Sequence, residues 1–269
     1  MIIGILGGIG AGKSTIVRML SEEAHRVAVP RSSASSSSDR DELLGEDSSG
    51  RCAEPEAARR PVTIIDADAL AHEALETPEV RARLQEWLGP QILKKDDTLD
   101  RQVIAQKVFS EPKQLKKLED IVHPLVRQSI LEQLERFRRA AQAFGPESLC
   151  ILDVPLLASS PLLSECDELL FVKLDQAIRE RRVMAKRSWS REELRRRESH
   201  QVSPEAKQSM AHVIIDNSGS EEATQKQVVE YVSRLMQRFT RQSNQAGPKN
   251  KNDSHNDDTQ SKRQADACA

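Results

Sequence analysis

The chain has 269 residues, with 40 lysines and arginines against 42 aspartates and glutamates, for a formal charge of −2. With 38% apolar residues it can bury the core of one main domain with embellishments, and its balanced charge gives no global field to attract nucleic acid or anionic lipid. The longest apolar runs, such as Leu149–Leu152 and Leu169–Val172, fall far short of the roughly 20 residues that a membrane-spanning helix needs. Neither nucleic acid nor membrane is therefore expected as a partner.

Ile2 to Leu6 reads as a buried strand of the mature protein, because it lacks the basic flank of a secretory signal and runs directly into glycines. Gly7-Gly8-Ile9-Gly10-Ala11-Gly12-Lys13-Ser14-Thr15 then satisfies the pattern G-x-x-x-x-G-K-S/T, between that strand and a helical pattern over Thr15 to Glu23. Glycines suit such a loop because its amide hydrogens must curl inward, where side chains would block phosphate oxygens. The helix that follows adds its unpaired N–H groups and positive end. Lys13 supplies a point charge for the β and γ phosphates of ATP, and the Ser14 hydroxyl can enter the coordination shell of Mg²⁺.

Composition shifts between about Val27 and Arg60, where the run Ser32-Ser33-Ala34-Ser35-Ser36-Ser37-Ser38 precedes Asp39-Arg40-Asp41-Glu42. Such a segment buries too little to offset its ordering entropy, so residues 27–61 are expected to form a flexible insertion. Val62 to Ile65 reads as the second strand, and Asp66-Ala67-Asp68 puts two carboxylates at its carboxyl end, near the phosphate crevice if the strands are parallel neighbours. One of them can also cap the helix that follows, within Ala67 to Leu75. Both roles are compatible, with Asp66 nearer the strand and Asp68 projecting differently.

Pro78 to Arg139 holds no strand-like run longer than a few residues and reads as a helical insertion, with apolar rows such as Leu115, Leu118, Ile121 and Val122. Insertions after strand ends stand over the ligand crevice of an α/β sheet, so this one is expected to cover substrate, a purely structural cap being the alternative. His123-Pro124 is read as opening a helix that runs to Ala141, since proline suits a first helical turn. A histidine there is ordinarily structural, with substrate contact as the sharper reading.

Cys150-Ile151-Leu152-Asp153 is an apolar strand ending in a carboxylate, the form of a Walker B residue on the metal side of a nucleotide site. Leu169 to Leu174 and Val213 to Ile215 complete a set of continuous apolar runs, as strands buried on both faces show, and Gln176 to Ala185 and Glu221 to Phe239 read as helices. Their alternation implies a parallel sheet flanked by helices. Arg179 to Arg197 holds eight arginines and one lysine against three glutamates, a local charge of +6. It reads either as a solvated helix face with pairs such as Glu192 to Arg196 or as a mobile lid that closes on a triphosphate. An RNA-binding helix is disfavoured by the 3% aromatic content. Residues 241–269 are polar and expected to be disordered. Cys52, Cys150, Cys166 and Cys268 show no metal-binding or disulfide spacing, which fits a reduced cytoplasm, and Cys150 is expected to pack as a small hydrophobe.

In order, GGIGAGKST, IDAD, HPL, LDVPLL, an arginine-bearing lid ending near Gln201, and VIIDNSG resemble the dephospho-CoA kinase family over Met1 to about Phe239. The resemblance implies a P-loop kinase fold: a three-layer α/β/α domain with a parallel five-stranded sheet, a helical substrate-binding insertion and an Arg-rich lid. Its nucleotide core would comprise residues 1–26, 62–76 and 147–240, with the lid at about 184–203 and the CoA-substrate domain at 77–146. It further implies transfer of the ATP γ-phosphoryl group to the ribose 3′-hydroxyl of dephospho-CoA, with Mg²⁺, by a cytoplasmic monomer or small homo-oligomer. Gly8, Gly10, Ala11, Gly12, Lys13, Ser14 and Thr15 would hold the phosphates, with Ser14 and Asp153 on the metal. Asp68 would orient or deprotonate the hydroxyl, Asp66 and His123 would help to hold the acceptor, Arg187 falls at a lid arginine and Asn217 near the adenine.

Two departures stand out: Pro155-Leu156-Leu157 runs into Ala158-Ser159-Ser160, where the family often has an aromatic and a glutamate, and the insertion after Val27 is longer than usual. A phosphate loop and a lid do not specify the acceptor, so another small-molecule or nucleotide kinase, or an ATP-gated RNA-interacting protein, remain as alternatives.

Overall fold

The computed structural model describes residues 1–28, 62–109, 111–144, 148–187 and 189–245. The segment expected to be flexible and the polar tail lie outside these residues, except where helices run into their first few positions. Five strands, β1 (Ile2–Gly7), β2 (Val62–Asp66), β3 (Leu149–Asp153), β4 (Glu168–Lys173) and β5 (Val213–Asp216), form one parallel sheet in the order β2-β3-β1-β4-β5. Nine helices accompany them among the described residues: α1 (Lys13–Ala28), α2 (Ala67–Glu76), α3 (Pro78–Leu88), α4 (Arg101–Phe109), α5 (Pro112–Phe144), α6 (Gln176–Arg187), α7 (Arg191–Glu198), α8 (Pro204–Met210) and α9 (Glu221–Gln245). None is long and apolar enough to cross a membrane.

Side chains alternate across a strand, so a central strand that is covered on both sides must be apolar throughout. Ile3 and Ile5 of β1 pack with Ile16 and Leu20 of α1 and Val228, Val232 and Leu235 of α9. Ile2 and Leu6 face the other way, toward Leu70 of α2 and Val126, Ile130 and Leu134 of α5. The three layers follow from this. The expectation of two-sided burial fails at the edges, where Ile64 of β2 is 42% exposed and Ile214 of β5 is 44% exposed, because each has a strand neighbour on one side only.

A third core lies within the helical insertion, built from Val80, Leu84, Leu88, Ile92, Leu99, Ile104 and Val108. Here one expectation is corrected: Pro124 does not open a helix but sits inside α5, which begins at Pro112. Proline removes an intrahelical N–H and usually breaks a helix. In α5 it is tolerated where two cores grip the helix, with Ile121 and Leu125 against the insertion and Val122 and Val126 against the sheet. At the far end α9 is pinned to the sheet by Glu168, 5% exposed, whose carboxylate accepts from Tyr231 Oη at 3.0 Å and from an Arg238 guanidinium nitrogen at 2.6 Å.

Candidate active site

The phosphate loop lies between β1 and α1, and its backbone needs glycine at two positions. Gly10 has φ of +76° and Gly12 of +91°, in the left-handed region that L-residues avoid. The Ala11 amide donates to the Gly8 carbonyl at 3.2 Å, closing the curl. From the far end of β5, Asn217 reaches under the loop: its Nδ2 donates to the Ala11 carbonyl at 2.9 Å and its Oδ1 accepts from Thr224 at 3.3 Å. Asn217 is 7% exposed, and a methyl added at Gly12 would overlap its Nδ2. Asn217 thus braces the loop from behind.

Lys13 opens α1, with its ammonium 3.4 Å from the Gly8 carbonyl. Burial lowers its pKa below the ordinary lysine value, Asp153 and Asp68 oppose that shift, and the Arg187 guanidinium adds to it. Burial also raises the Asp153 carboxyl, against the pull of Lys13 and together with the like charges of Asp66 and Asp68. Lys13 and the carboxylates of Asp66, Asp68 and Asp153 are thus grouped at the carboxyl ends of β1, β2 and β3, with the Arg187 charge also reaching Lys13. The parallel register sets this up by placing Asp66 opposite Asp153.

The two carboxylates of the IDAD element divide their roles. Asp66 caps α2, accepting from the amides of Asp68 at 2.8 Å and Ala69 at 3.1 Å. Asp68 is exposed in the first turn of α2 and makes no capping bond there. A cavity of about 290 Å³ brings Ser14, Asp66 and Asp153 to one wall, together with Ser21, Glu22 and Ile64. His123 lines a separate groove of about 930 Å³ along α5, with Asp120, Arg127 and Gln128.

The arginine-rich stretch folds back over the loop. From α6, Arg179 lies against Gly8, with Nη1 3.0 Å from where a β-carbon would sit; Val183 lies against Gly10 and Arg182 beside Gly12. Several of its charges are paired: Arg179 with Glu198, Arg191 with Glu180 at 3.2 Å, and both Arg196 and Arg197 with Glu193 at 2.6 Å. The expected partnership of Glu192 with Arg196 gives way to Glu193, which faces both arginines. Arg187 and Arg197 stack on the Trp189 ring at 4.9 and 4.1 Å. The ion pairs fit the solvated-face reading for part of this helix pair, and α6 also packs against the loop glycines. The sequence marks this region only by its density of arginines; which of its residues touch the loop depends on how α6 packs.

A family model described as dephospho-CoA kinase matches residues 48–223. The chain belongs to the dephospho-CoA kinase family. A dephospho-CoA kinase of Symbiobacterium thermophilum is 34% identical over 229 residues, covering 84% of this chain and 78% of the relative. One from Deinococcus radiodurans is 33% identical over 226 residues, covering 84% and 88%. Among solved structures, a Thermus thermophilus protein is 29% identical with a TM-score of 0.57, covering 88% of this chain and 97% of its own. A Campylobacter jejuni dephospho-CoA kinase shares the fold at the same TM-score of 0.57, with 20% identity over 88% and 97% of the two chains. The family match begins beyond the phosphate loop, so the loop's assignment rests on its own pattern and backbone geometry.

Proposed function

We propose that this crevice transfers the γ-phosphoryl group of ATP to the ribose 3′-hydroxyl of dephospho-CoA, giving coenzyme A and ADP. The observation that carries the reading is the left-handed glycine curl that leads into Lys13, faced by the charge of Asp68, which is exposed and makes no capping bond. Phosphoryl transfer asks a protein for alignment and charge compensation more than for covalent chemistry. The loop amides from Gly8 to Thr15 and the positive end of α1 take the phosphates, with Lys13 on the β and γ groups.

The acceptor oxygen forms a bond to the γ phosphorus as the bond from that phosphorus to the β–γ bridging oxygen breaks, and ADP leaves. Asp68 fixes the direction of attack and takes the hydroxyl proton late, since a sugar alcohol is too weak an acid to lose it beforehand. Arg187 compensates charge on the phosphate oxygens from the lid side. The hard oxygen donors of Ser14 and Asp153, sharing one cavity, fit Mg²⁺, which is held through one or two carboxylates and substrate phosphates. When bound, Mg²⁺ supplies charge neutralisation at the β and γ oxygens. His123, Asp66 and the helical insertion hold the acceptor. Asn217 keeps the loop curled and, as the family resemblance implies, stands on the adenine side.

ADP release measured in parallel with dephospho-CoA, adenosine, nucleoside monophosphates and RNA tests the assignment. Release stimulated by dephospho-CoA alone is expected. Equal or greater stimulation by another acceptor would overturn it.

A further inference from the structure

Lys207, on α8, has no part in the reaction just described, yet it is only 4% exposed. Its ammonium donates to Gln201 Oε1 at 3.0 Å, and among the described residues no carboxylate lies within ion-pair reach of it. An ammonium withdrawn from water beside one neutral amide is costly to keep charged. Burial lowers its pKa below the ordinary lysine value, and the two neighbouring charges that act on it, Lys13 and Arg179, are cations that push it further down.

Its place in the fold explains the company. Helix α8 packs against β1 and β4, the strands that lead into the phosphate loop and the lid. Arg179 lies on Gly8 of the loop, and Lys13 follows the loop directly. Arg179 and Lys13 thus stand at the loop, and Lys207, on a helix packed against the strand that leads into it, lies where both of their charges bear on it. Arg179 has Glu198 as its counter-charge and Lys13 feels Asp153 and Asp68, whereas the partner of Lys207 among the described residues is the amide of Gln201. A fold that holds three like charges together there gains from any ligand carrying several negative charges into their midst.

We propose that Lys207 is a third cation of the nucleotide site, whose buried charge is balanced by the polyphosphate tail of bound ATP. This rests on the ATP-binding reading above and adds to it a binding residue outside the loop and lid. Its contribution grows with the number of phosphates, and is smallest for a ligand with one. The competing role is that of a latch that ties Gln201, where the chain leaves the lid, to α8.

Calorimetric titration of the wild-type chain and of Lys207→Gln, Lys207→Arg and Gln201→Ala with ATP, ADP, AMP and inorganic tripolyphosphate separates these. Lys207→Gln should weaken ATP and tripolyphosphate about tenfold and AMP less than about threefold, because the lost interaction is a charge-assisted one with phosphate. Lys207→Arg should stay within about threefold of wild type for every ligand, and so should Gln201→Ala, which keeps the charge and removes the latch. Equal weakening of all four ligands by Lys207→Gln, unchanged affinities, or a loss in Gln201→Ala as large as that in Lys207→Gln would each overturn the proposal. If Lys207→Gln does not fold, Lys207→Met takes its place, with the same loss for ATP and tripolyphosphate expected and unchanged affinities overturning the proposal. Wild-type protein that binds no ATP would instead overturn the function assigned above.

Discussion

Replacing Gly12 by alanine should damage the phosphate loop in a way that Asn217 controls. The new methyl would meet two penalties. A left-handed φ of +91° costs an L-residue about 1–3 kcal/mol. Overlap with Asn217 Nδ2 costs about 1–3 kcal/mol more, because that amide cannot swing away: it donates to Ala11 at 2.9 Å, accepts from Thr224 at 3.3 Å and is 7% exposed. Together Gly12→Ala should lower stability by about 2–6 kcal/mol. Asn217→Ala deletes a buried hydrogen bond and leaves the Ala11 carbonyl unpaired, for about 1–3 kcal/mol. In the double variant the overlap disappears, so its destabilisation should fall short of the sum by about 1–3 kcal/mol. Gly89→Ala is the control. Its φ of +88° is nearly the same, but the new methyl would meet the exposed side chain of Gln91, far from the loop. Urea unfolding of the four variants gives the coupling, and calorimetry with ATP shows whether the loss reaches the site. Additivity of Gly12→Ala and Asn217→Ala within about 0.5 kcal/mol would refute the brace, as would a loss of ATP affinity in Gly89→Ala equal to that in Gly12→Ala.

Lys13→Met should lower turnover by about a thousandfold or more, by removing preorganised charge from the phosphates, while making the ligand-free protein more stable at neutral pH. Burial holds the folded-state pKa of Lys13 below its unfolded value of 10.5, so the penalty on the charged form is fully present below the folded pKa. Between the two values the unfolded chain binds more protons, and wild-type stability rises with pH. Thermal melts between about pH 7 and pH 10 should therefore show a stability gap in favour of Lys13→Met that closes as pH rises; a gap of the opposite sign would contradict the burial argument. Asp68→Asn should slow transfer by about a hundredfold or more, with ATP affinity within about threefold of wild type and unchanged stability, because Asp66 is the residue that caps α2. Single-turnover assays alongside titration check this, and a large loss of ATP affinity would assign Asp68 to the nucleotide instead.

β1, β3 and β4 were legible because a parallel strand buried on both faces leaves a continuous apolar run; β2 and β5 keep β-branched runs although they are half exposed at the edges, and the glycine pattern of the loop is tied directly to its backbone geometry. What escaped detection depends on partners distant in the chain. Glu168 reads as a charged residue ahead of the apolar run that starts at Leu169, and it can be buried as the first residue of β4 because Tyr231 and Arg238 arrive from α9 to satisfy its carboxylate. Pro124 carries the local signal of a helix start, and that signal is overridden by two cores that meet at the same turn of α5. Asn217 could be assigned to the nucleotide site by resemblance, but its hold on Ala11, across nearly the whole chain, is visible only once β5 lies in the sheet. Lys207 has the sequence surroundings of an ordinary exposed lysine, with Glu205 nearby and polar residues around it.

The strand order also explains how one loop can serve two substrates. With β1 at the centre, β3 and β2 lie on one side and β4 and β5 on the other, so the crossover from β2 to β3 and that from β4 to β5 approach the loop from opposite flanks. The first crossover carries α2 through α5, including Asp68 and the groove at His123; the second carries α6 through α8, with Arg179, Arg187 and Lys207. Each can lengthen without altering the register of the sheet, since both of its ends are fixed in parallel strands. Asp68 and the helical cap therefore stand on one flank of the loop, while the cations outside the loop come from the other. Substitutions in the first crossover should change which alcohol is phosphorylated, and those in the second how tightly the polyphosphate is held. The in-line geometry of transfer requires such a division, because the attacking and leaving oxygens must lie on opposite sides of the phosphorus.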